Sequence, residues 1–336
     1  MPSWELKPED IDAITYTPND AVNSALKIID GMRAETDPGV MTGIPNIDEY
    51  IFPGRPGHLI AVLGRTSNYK SGFMQWWARQ QANYIRDNGA EDQCIIYVTW
   101  EQAVEEMICF DLAYSARLNS RDVMLGKIND DEMKRLRLVH GPKRAVTPVY
   151  LIGHSVQDGK SRPILSLSAV RDGLLMLKEE YGIRPRVIYL DYLQRMAGEK
   201  GREREQQVSH NVDAAKDLAF EMRCLVVTGT QANRRSYEKA WGIPDIIESQ
   251  WTSNLEQTCD GIWGVWYPCK SVELGTEIEK SSKVMVVDKN LLILQIIKQR
   301  WGDSGNWWQL KVEPEINEIS PPDVEYHRQS LNDYAA

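Results

Sequence analysis

The chain is short of paired cysteines, of long apolar runs and of positive charge, and each shortage closes off a class of protein. Its five cysteines, at 94, 109, 224, 259 and 269, include no C-x-x-C pair. An odd, unspaced set fits neither a disulfide framework nor a zinc site and reads as buried, reduced thiols. His140, His154 and His210 likewise lack metal-ligand spacing and read as structural or surface residues. The longest apolar run, Leu291–Ile297, is broken by Gln295 and falls far short of the ~20 residues of a membrane helix. Met1–Asp10 carries Glu5, Lys7, Glu9 and Asp10 and no apolar signal core, so a cytoplasmic protein is expected. With 39 basic residues against 48 acidic ones, the net charge is −9. That excludes a chain coating duplex DNA with its whole surface, though not a local basic channel.

What is present is a soluble globular composition, 42% hydrophobic and 26% charged over 336 residues. The length exceeds the roughly 250–300 residues at which one core stops growing, so extra pieces beside a main domain are expected. Eleven tryptophans read as core and interface packing. Residues 1–40 contain one amphipathic helix, Asn19–Ala34, with Val22, Ala25, Leu26, Ile29 and Met32 on one stripe. Asp37-Pro38-Gly39 stops it.

Short β-rich runs then alternate with helical patterns. The strand candidates are 58–63, 95–99, 149–152, 187–190, 225–228, 262–267, 284–287, 291–297 and 307–312; the helix candidates are 72–87, 103–118, 165–181 and 206–222. Alternation of this kind predicts an α/β fold, a mostly parallel twisted sheet covered by helices on both faces. The last three strands crowd together and predict an antiparallel extension. Residues 41–313 are thus one main domain, and 314–336, polar and acidic with Pro321-Pro322, read as a flexible tail.

The strongest motif is the passage from a β-run through Gly64-Arg-Thr-Ser-Asn-Tyr-Lys-Ser71 into a helix. It follows the phosphate-loop pattern G-x-x-x-x-G-K-[ST] except that Tyr69 stands for the second glycine. Such a loop aims backbone N–H groups at phosphates, with Lys70 for the β/γ-phosphates and the Ser71 hydroxyl for Mg²⁺. Tyr69 is the irregularity, because glycine there allows close approach or an unusual φ.

Around it stand Thr42-Gly-Ile-Pro-Asn-Ile-Asp48, Pro56-Gly57, Thr99-Trp-Glu101, Val187-Ile-Tyr-Leu-Asp-Tyr-Leu-Gln194, Gln231-Ala-Asn-Arg234, Leu255-Glu-Gln-Thr-Cys-Asp260 and Lys298-Gln-Arg-Trp-Gly302. In this order the segments resemble the ATPase domain of DnaB-type replicative helicases across residues 42–302. The resemblance implies a RecA-like P-loop NTPase that uses ATP and Mg²⁺, works as a homo-oligomer, usually a hexameric ring, and acts on single-stranded DNA, with replication or loader proteins as further partners. It also implies that the family's N-terminal collar is missing here and that the Asn19–Ala34 helix corresponds to the family's linker helix.

Carried over residue by residue, Gly64, Arg65, Thr66, Ser67, Asn68, Tyr69, Lys70 and Ser71 would hold the nucleotide, and Ser71 and Asp191 the metal. Glu101 would orient and deprotonate the attacking water, and Gln231 would sense the γ-phosphate. Lys298 and Arg300, alternate residues of one strand, would point to the same face and enter the neighbour's site, Arg300 as a finger. Two charged loops would meet DNA, one through Lys200, Arg202 and Arg204, the other through Arg234, Arg235 and Lys239. The family's Arg-Glu-Ser-Gly turn is Ile247-Glu-Ser-Gln250 here. With Tyr69, that change keeps a second reading open, a nucleotide-dependent assembly or recruitment ATPase with little or no unwinding. A RecA-type recombinase or clock-type ATPase shares the fold, and the Lys298–Arg300 strand favours the helicase branch over both.

Overall fold

The computed structural model describes residues 16–33, 38–88, 92–139, 148–156, 165–192, 204–232, 241–243, 252–280 and 283–321. Its centre is a nine-stranded sheet. In chain order the elements are α1 (Pro18–Arg33), α2 (Pro45–Asp48), β1 (Leu59–Gly64), α3 (Lys70–Asp87), β2 (Gln93–Thr99), α4 (Val104–Ala116), α5 (Ser120–Met124), α6 (Asp130–Val139), β3 (Val149–Ile152), α7 (Leu167–Tyr181), β4 (Arg184–Asp191) and α8 (Arg204–Glu221). They continue as β5 (Leu225–Gln231), α9 (Thr252–Thr258), β6 (Gly261–Trp266), β7 (Glu277–Lys280), β8 (Lys283–Val286), β9 (Leu291–Gln299), β10 (Trp307–Glu313) and β11 (Glu318–Ser320).

The sheet order is β11-β10-β9-β6-β1-β5-β4-β2-β3. Strands β6, β1, β5, β4, β2 and β3 run parallel, and β9, β10 and β11 add on antiparallel beyond β6. The apolar runs read as strands because helices cover both faces and leave little need for polar alternation. In β1, Ile60 and Val62 join one core with Phe73 and Trp77 of α3, while Leu59, Ala61 and Leu63 join another with Leu174 of α7 and Leu218 of α8. That two-residue alternation splits one strand between two cores. Tryptophan serves packing here: Trp77 stacks on Trp263 of β6 at 4.6 Å.

Several expectations are corrected. The Val284–Val287 run pairs with β7 in a separate two-stranded hairpin, so the antiparallel extension consists of β9, β10 and β11 instead. Residues 314–321 are not a loose tail: β11 pairs with β10, and the Ser120 N–H donates to the Glu315 carbonyl. Their polar composition hid a turn that folds back onto α3 and α5. Helices α2, α5, α6 and α9 have no counterpart among the helix candidates. The sequence signal for α6 is a capping box, in which Asn129 accepts from the Asp131 and Glu132 N–H groups while Glu132 accepts from the Asn129 N–H. Of the thiols, Cys94, Cys224 and Cys259 are buried, but Cys109 and Cys269 are only half-buried. Among the described residues no helix is long and apolar enough to cross a membrane.

Candidate nucleotide site

The site grows from the C-terminal ends of β1, β2, β4 and β5, the edge where parallel α/β sheets bind ligands. The chain approaches it through the Thr42–Asp48 turn. Asp48 accepts from the Thr42 N–H at 2.8 Å, the Thr42 hydroxyl at 2.6 Å and the Gly43 N–H at 2.9 Å. This part of the motif is therefore a folding device, which also lets the Met41 carbonyl receive Trp77 Nε1 and Gln81 Nε2 of α3.

From Gly64 the loop turns tightly: a Cβ there would lie 2.7 Å from the Val265 carbonyl oxygen, so only glycine fits. Ser67 and Tyr69 both adopt left-handed φ, +61° and +68°, on either side of Asn68. Left-handed residues alternating along a loop turn successive N–H groups into one concavity, an anion nest, here opening at the N-terminus of α3. Asn68, buried, ties the nest down by donating to the Thr66 carbonyl and accepting from the Tyr267 N–H. Tyr69 thus sits in the left-handed region that glycine enters without steric cost. Its ring turns away from the nest, packing on Tyr267 at 5.4 Å.

Lys70 Nζ donates to the Gly64 and Arg65 carbonyls at 3.1 and 2.8 Å. Burial lowers its pKa to about 8, although Asp191 and Glu101 pull it upward. Ser71 Oγ donates to Asp191 Oδ1 at 3.1 Å, and the Tyr97 hydroxyl donates to Oδ2 at 2.9 Å. Asp191 closes β4, and burial raises its pKa against the pull of those two bonds. Glu101 lies just past β2, within reach of both Lys70 and Asp191, whose pKa values its charge raises. Its loop is braced by Thr99, whose hydroxyl donates to the Gln102 carbonyl and accepts the Gln102 N–H. Gln231, ending β5, donates through Nε2 to Thr66 Oγ1 of the loop.

Gly64 to Ser71, Glu101, Asp191 and Gln231 are therefore one site. Lys298 and Arg300 are not part of it in the same chain. Strand β9 runs antiparallel to β6, so its C-terminal end lies at the opposite edge of the sheet. There Lys298 donates to the Glu256 and Cys259 carbonyls, and the Arg300 guanidinium lies 3.4 Å from Asp260. β9 itself ends at Gln299, although the Arg300 N–H continues the ladder by bonding the Asp260 carbonyl. Lys200, Arg202, Arg234, Arg235 and Lys239 lie outside the described residues; Arg204 opens α8. Sequence reasoning missed Tyr97, Asn68 and Tyr267 in their holding roles, since these depend on strand pairing and loop closure that no local pattern encodes.

Fold and site define a RecA-like domain with a phosphate loop on its central strand. Residues 39–320 match the family model described as the DnaB-like helicase C terminal domain, and the chain belongs to that family. It is 24% identical over 280 residues to the replicative DNA helicase DnaB of Rickettsia prowazekii, covering 80% of this chain and 55% of that one. With the replicative DNA helicase DnaC of Bacillus subtilis it shares 23% identity over 270 residues, 80% of this chain and 53% of that one. The chain thus spans about half the length of these relatives. Among solved structures, one described as an ATPase domain matches with a TM-score of 0.72 at 17% identity, over 90% of this chain and 99% of that one. A DnaB-like replicative helicase, studied with its interactions with primase, matches with a TM-score of 0.71 at 16% identity, over 90% of this chain and 66% of that one.

Proposed function

We propose that this chain hydrolyses ATP and drives a DnaB-like helicase or translocase along single-stranded DNA, as a ring or spiral homo-oligomer in the cytoplasm. The observation that carries the reading is the convergence of Lys70, Ser71, Glu101, Asp191 and Gln231 at one sheet edge around an anion nest. In this reading the loop amides and Lys70 hold the β- and γ-phosphates. Glu101 orients the attacking water and takes its proton, and Gln231 reports on the γ-phosphate through Thr66.

The hydroxyl of Ser71 and the carboxylate of Asp191, 3.1 Å apart, are the hard oxygen donors that suit Mg²⁺. When bound there, the ion would neutralise charge developing on the phosphates. Lys298 and Arg300, at the far edge, serve the site of an adjoining subunit. DNA contact is assigned to Lys200, Arg202 and Arg204 and to Arg234, Arg235 and Lys239, with a hexamer and replication or loader proteins as the assembly context.

The test is ATP turnover measured with and without single-stranded DNA, together with unwinding of a forked duplex. Stimulation by DNA and strand separation support the motor. Turnover indifferent to DNA, with no unwinding, would shift the assignment to an assembly or recruitment ATPase. Reversing Arg234 and Arg235 to Glu should weaken DNA binding whatever its sequence, because phosphate contacts carry no base information.

A further inference from the structure

A tyrosine in place of the loop glycine needs something to hold it there. Tyr69 sits in the left-handed region, φ +68°, which disfavours any residue with a Cβ. Three contacts fix it. Its hydroxyl donates to Asn317 Oδ1 at 2.6 Å, across 248 residues of sequence. Its ring packs on Tyr267, whose N–H in turn holds Asn68. The ring also lies over Gly72 in the first turn of α3, where a Cβ would come within 2.6 Å of it, so position 72 must be glycine to admit it.

Asn317 is not a casual surface partner. It is buried, itself left-handed with φ +51°, and forms the turn between β10 and β11. Its carbonyl accepts from Arg79 of α3, whose guanidinium lies 4.2 Å from the centre of the Tyr114 ring. Next to it Glu318 pairs with Arg117, and the Glu315 carbonyl receives the Ser120 N–H. The turn is thus fastened to α3, α4 and α5, and through Tyr69 it is fastened to the phosphate loop.

We propose that Tyr69 and Asn317 are positioning residues for the nucleotide: their hydrogen bond holds residues 67–70 in the phosphate-cradling shape that glycine would otherwise reach by conformational freedom. The proposal rests on the reading of Gly64–Ser71 as the nucleotide site and adds a support to it from the end of the fold. A contact that favours the nucleotide-bound loop is favoured equally by the nucleotide, because coupling between two equilibria is reciprocal. Nucleotide should therefore tighten the β10–β11 turn from a distance, through the Tyr69 side chain.

The experiment uses the full chain with MgADP as probe. Tyr69→Phe and Asn317→Ala should each weaken ADP binding about five- to 150-fold, the span of one coupling interaction. The double variant should be no weaker than the weaker single one. Asn317→Asp keeps an acceptor oxygen and should keep affinity within about two-fold of wild type. In a Tyr69→Gly chain, Asn317→Ala should cost nothing further. By hydrogen exchange, ADP should slow the amides of residues 316–319 in the wild type and not in Tyr69→Phe. Wild-type affinity in Tyr69→Phe and Asn317→Ala, with both folded by circular dichroism, overturns the proposal. So does additive loss in the double variant, or exchange at 316–319 that ignores ADP. Should Tyr69→Phe fail to fold, the Asn317→Ala and Asn317→Asp pair decides alone. Failure of the underlying reading looks different: ADP would bind Lys70→Ala as tightly as wild type.

Discussion

The Arg300 guanidinium lies 3.4 Å from Oδ1 of Asp260, a carboxylate that also accepts from the Leu59 N–H at 2.9 Å and from Lys216 Nζ at 2.5 Å. Leu59 begins β1 and Gly64 ends it, so the length of the strand, about 16 Å, separates this cluster from the phosphate loop. The end of the Asp260 motif is thereby explained without catalysis. It ties the beginning of the central strand to α8 and to the base of the Arg300 turn.

Asp260→Asn should destabilise the fold by about 3–5 kcal/mol, because it leaves the largely buried Lys216 ammonium without its counter-charge. Chemical denaturation would measure this, and Lys216→Met added to Asp260→Asn should recover part of the loss. The sign with pH follows from the Asp260 pKa. Burial pushes it up, but the bonds from Lys216 and Leu59 bring it below the ordinary carboxylate value. Its stabilisation is therefore present above the unfolded pKa of about 4 and is lost as pH falls through the lower folded value. Wild type should lose its advantage over Asp260→Asn in that acid window, and a difference that persists unchanged below it argues against the pair.

Lys70 makes the opposite kind of pH statement. Burial lowers its pKa to about 8, so the free site holds less of the ammonium as pH rises through that value. Nucleotide phosphates require the charged form, and ADP affinity should fall roughly ten-fold or more between about pH 8 and pH 10 if the bound lysine stays protonated. Calorimetric titration across that range checks it. Stability of the free chain should move the other way, rising between about pH 8 and the unfolded lysine pKa near 10.4 as the buried ammonium is neutralised.

The convergence of the site residues is partly legible in the sequence. Lys70, Ser71, Asp191 and Gln231 each sit at a strand end or helix start, and periodicity locates such places. The tie between Tyr69 and Asn317 is not legible, because it joins residues 248 apart through a turn whose polar composition resembles a tail. Capping chemistry does mark α6, where Asn129 and Glu132 stand three apart. Only half of the β7–β8 hairpin shows in the pattern, because Glu277–Lys280 carries a single apolar residue, Ile278, on its buried side. Local chemistry predicts local geometry; the long-range ties have to be seen.

Gln299 is such a tie. Its Oε1 accepts the Phe52 N–H at 3.1 Å, and its Nε2 donates to the Tyr50 carbonyl at 3.0 Å and to the Asp303 carbonyl. Gly302, at φ +109°, leaves room for that amide, since a Cβ would come within 2.8 Å of Nε2. The turn presenting Arg300 is therefore braced against residues 50–52. Gln299→Ala should preserve ADP binding while lowering ATP turnover on the order of ten-fold or more, as misplacement of a charge-stabilising group does. Equal loss of binding and turnover would mean that the brace serves the fold alone.

The strongest test of the motor reading concerns Arg300 itself. Its side chain is 47% exposed at the edge of the sheet opposite the phosphate loop, which keeps it from the γ-phosphate of its own chain. If it completes a site at all, that site belongs to an adjoining subunit, and turnover per chain should rise with protein concentration. Arg300→Ala should bind ADP normally, since Lys70 and Ser71 are untouched, yet lose about 10³-fold or more in hydrolysis. Lys70→Ala should fail for the other reason, having an intact Arg300 and no pocket to receive phosphate. Mixed together, the two inactive variants should regain activity, because a Lys70→Ala subunit can lend its arginine to an Arg300→Ala neighbour. The recovered rate should peak at intermediate ratios and vanish at either pure end. Verified mixed oligomers that stay inactive at every ratio would remove Arg300 from the neighbour's site, as would full hydrolysis by a strictly monomeric form.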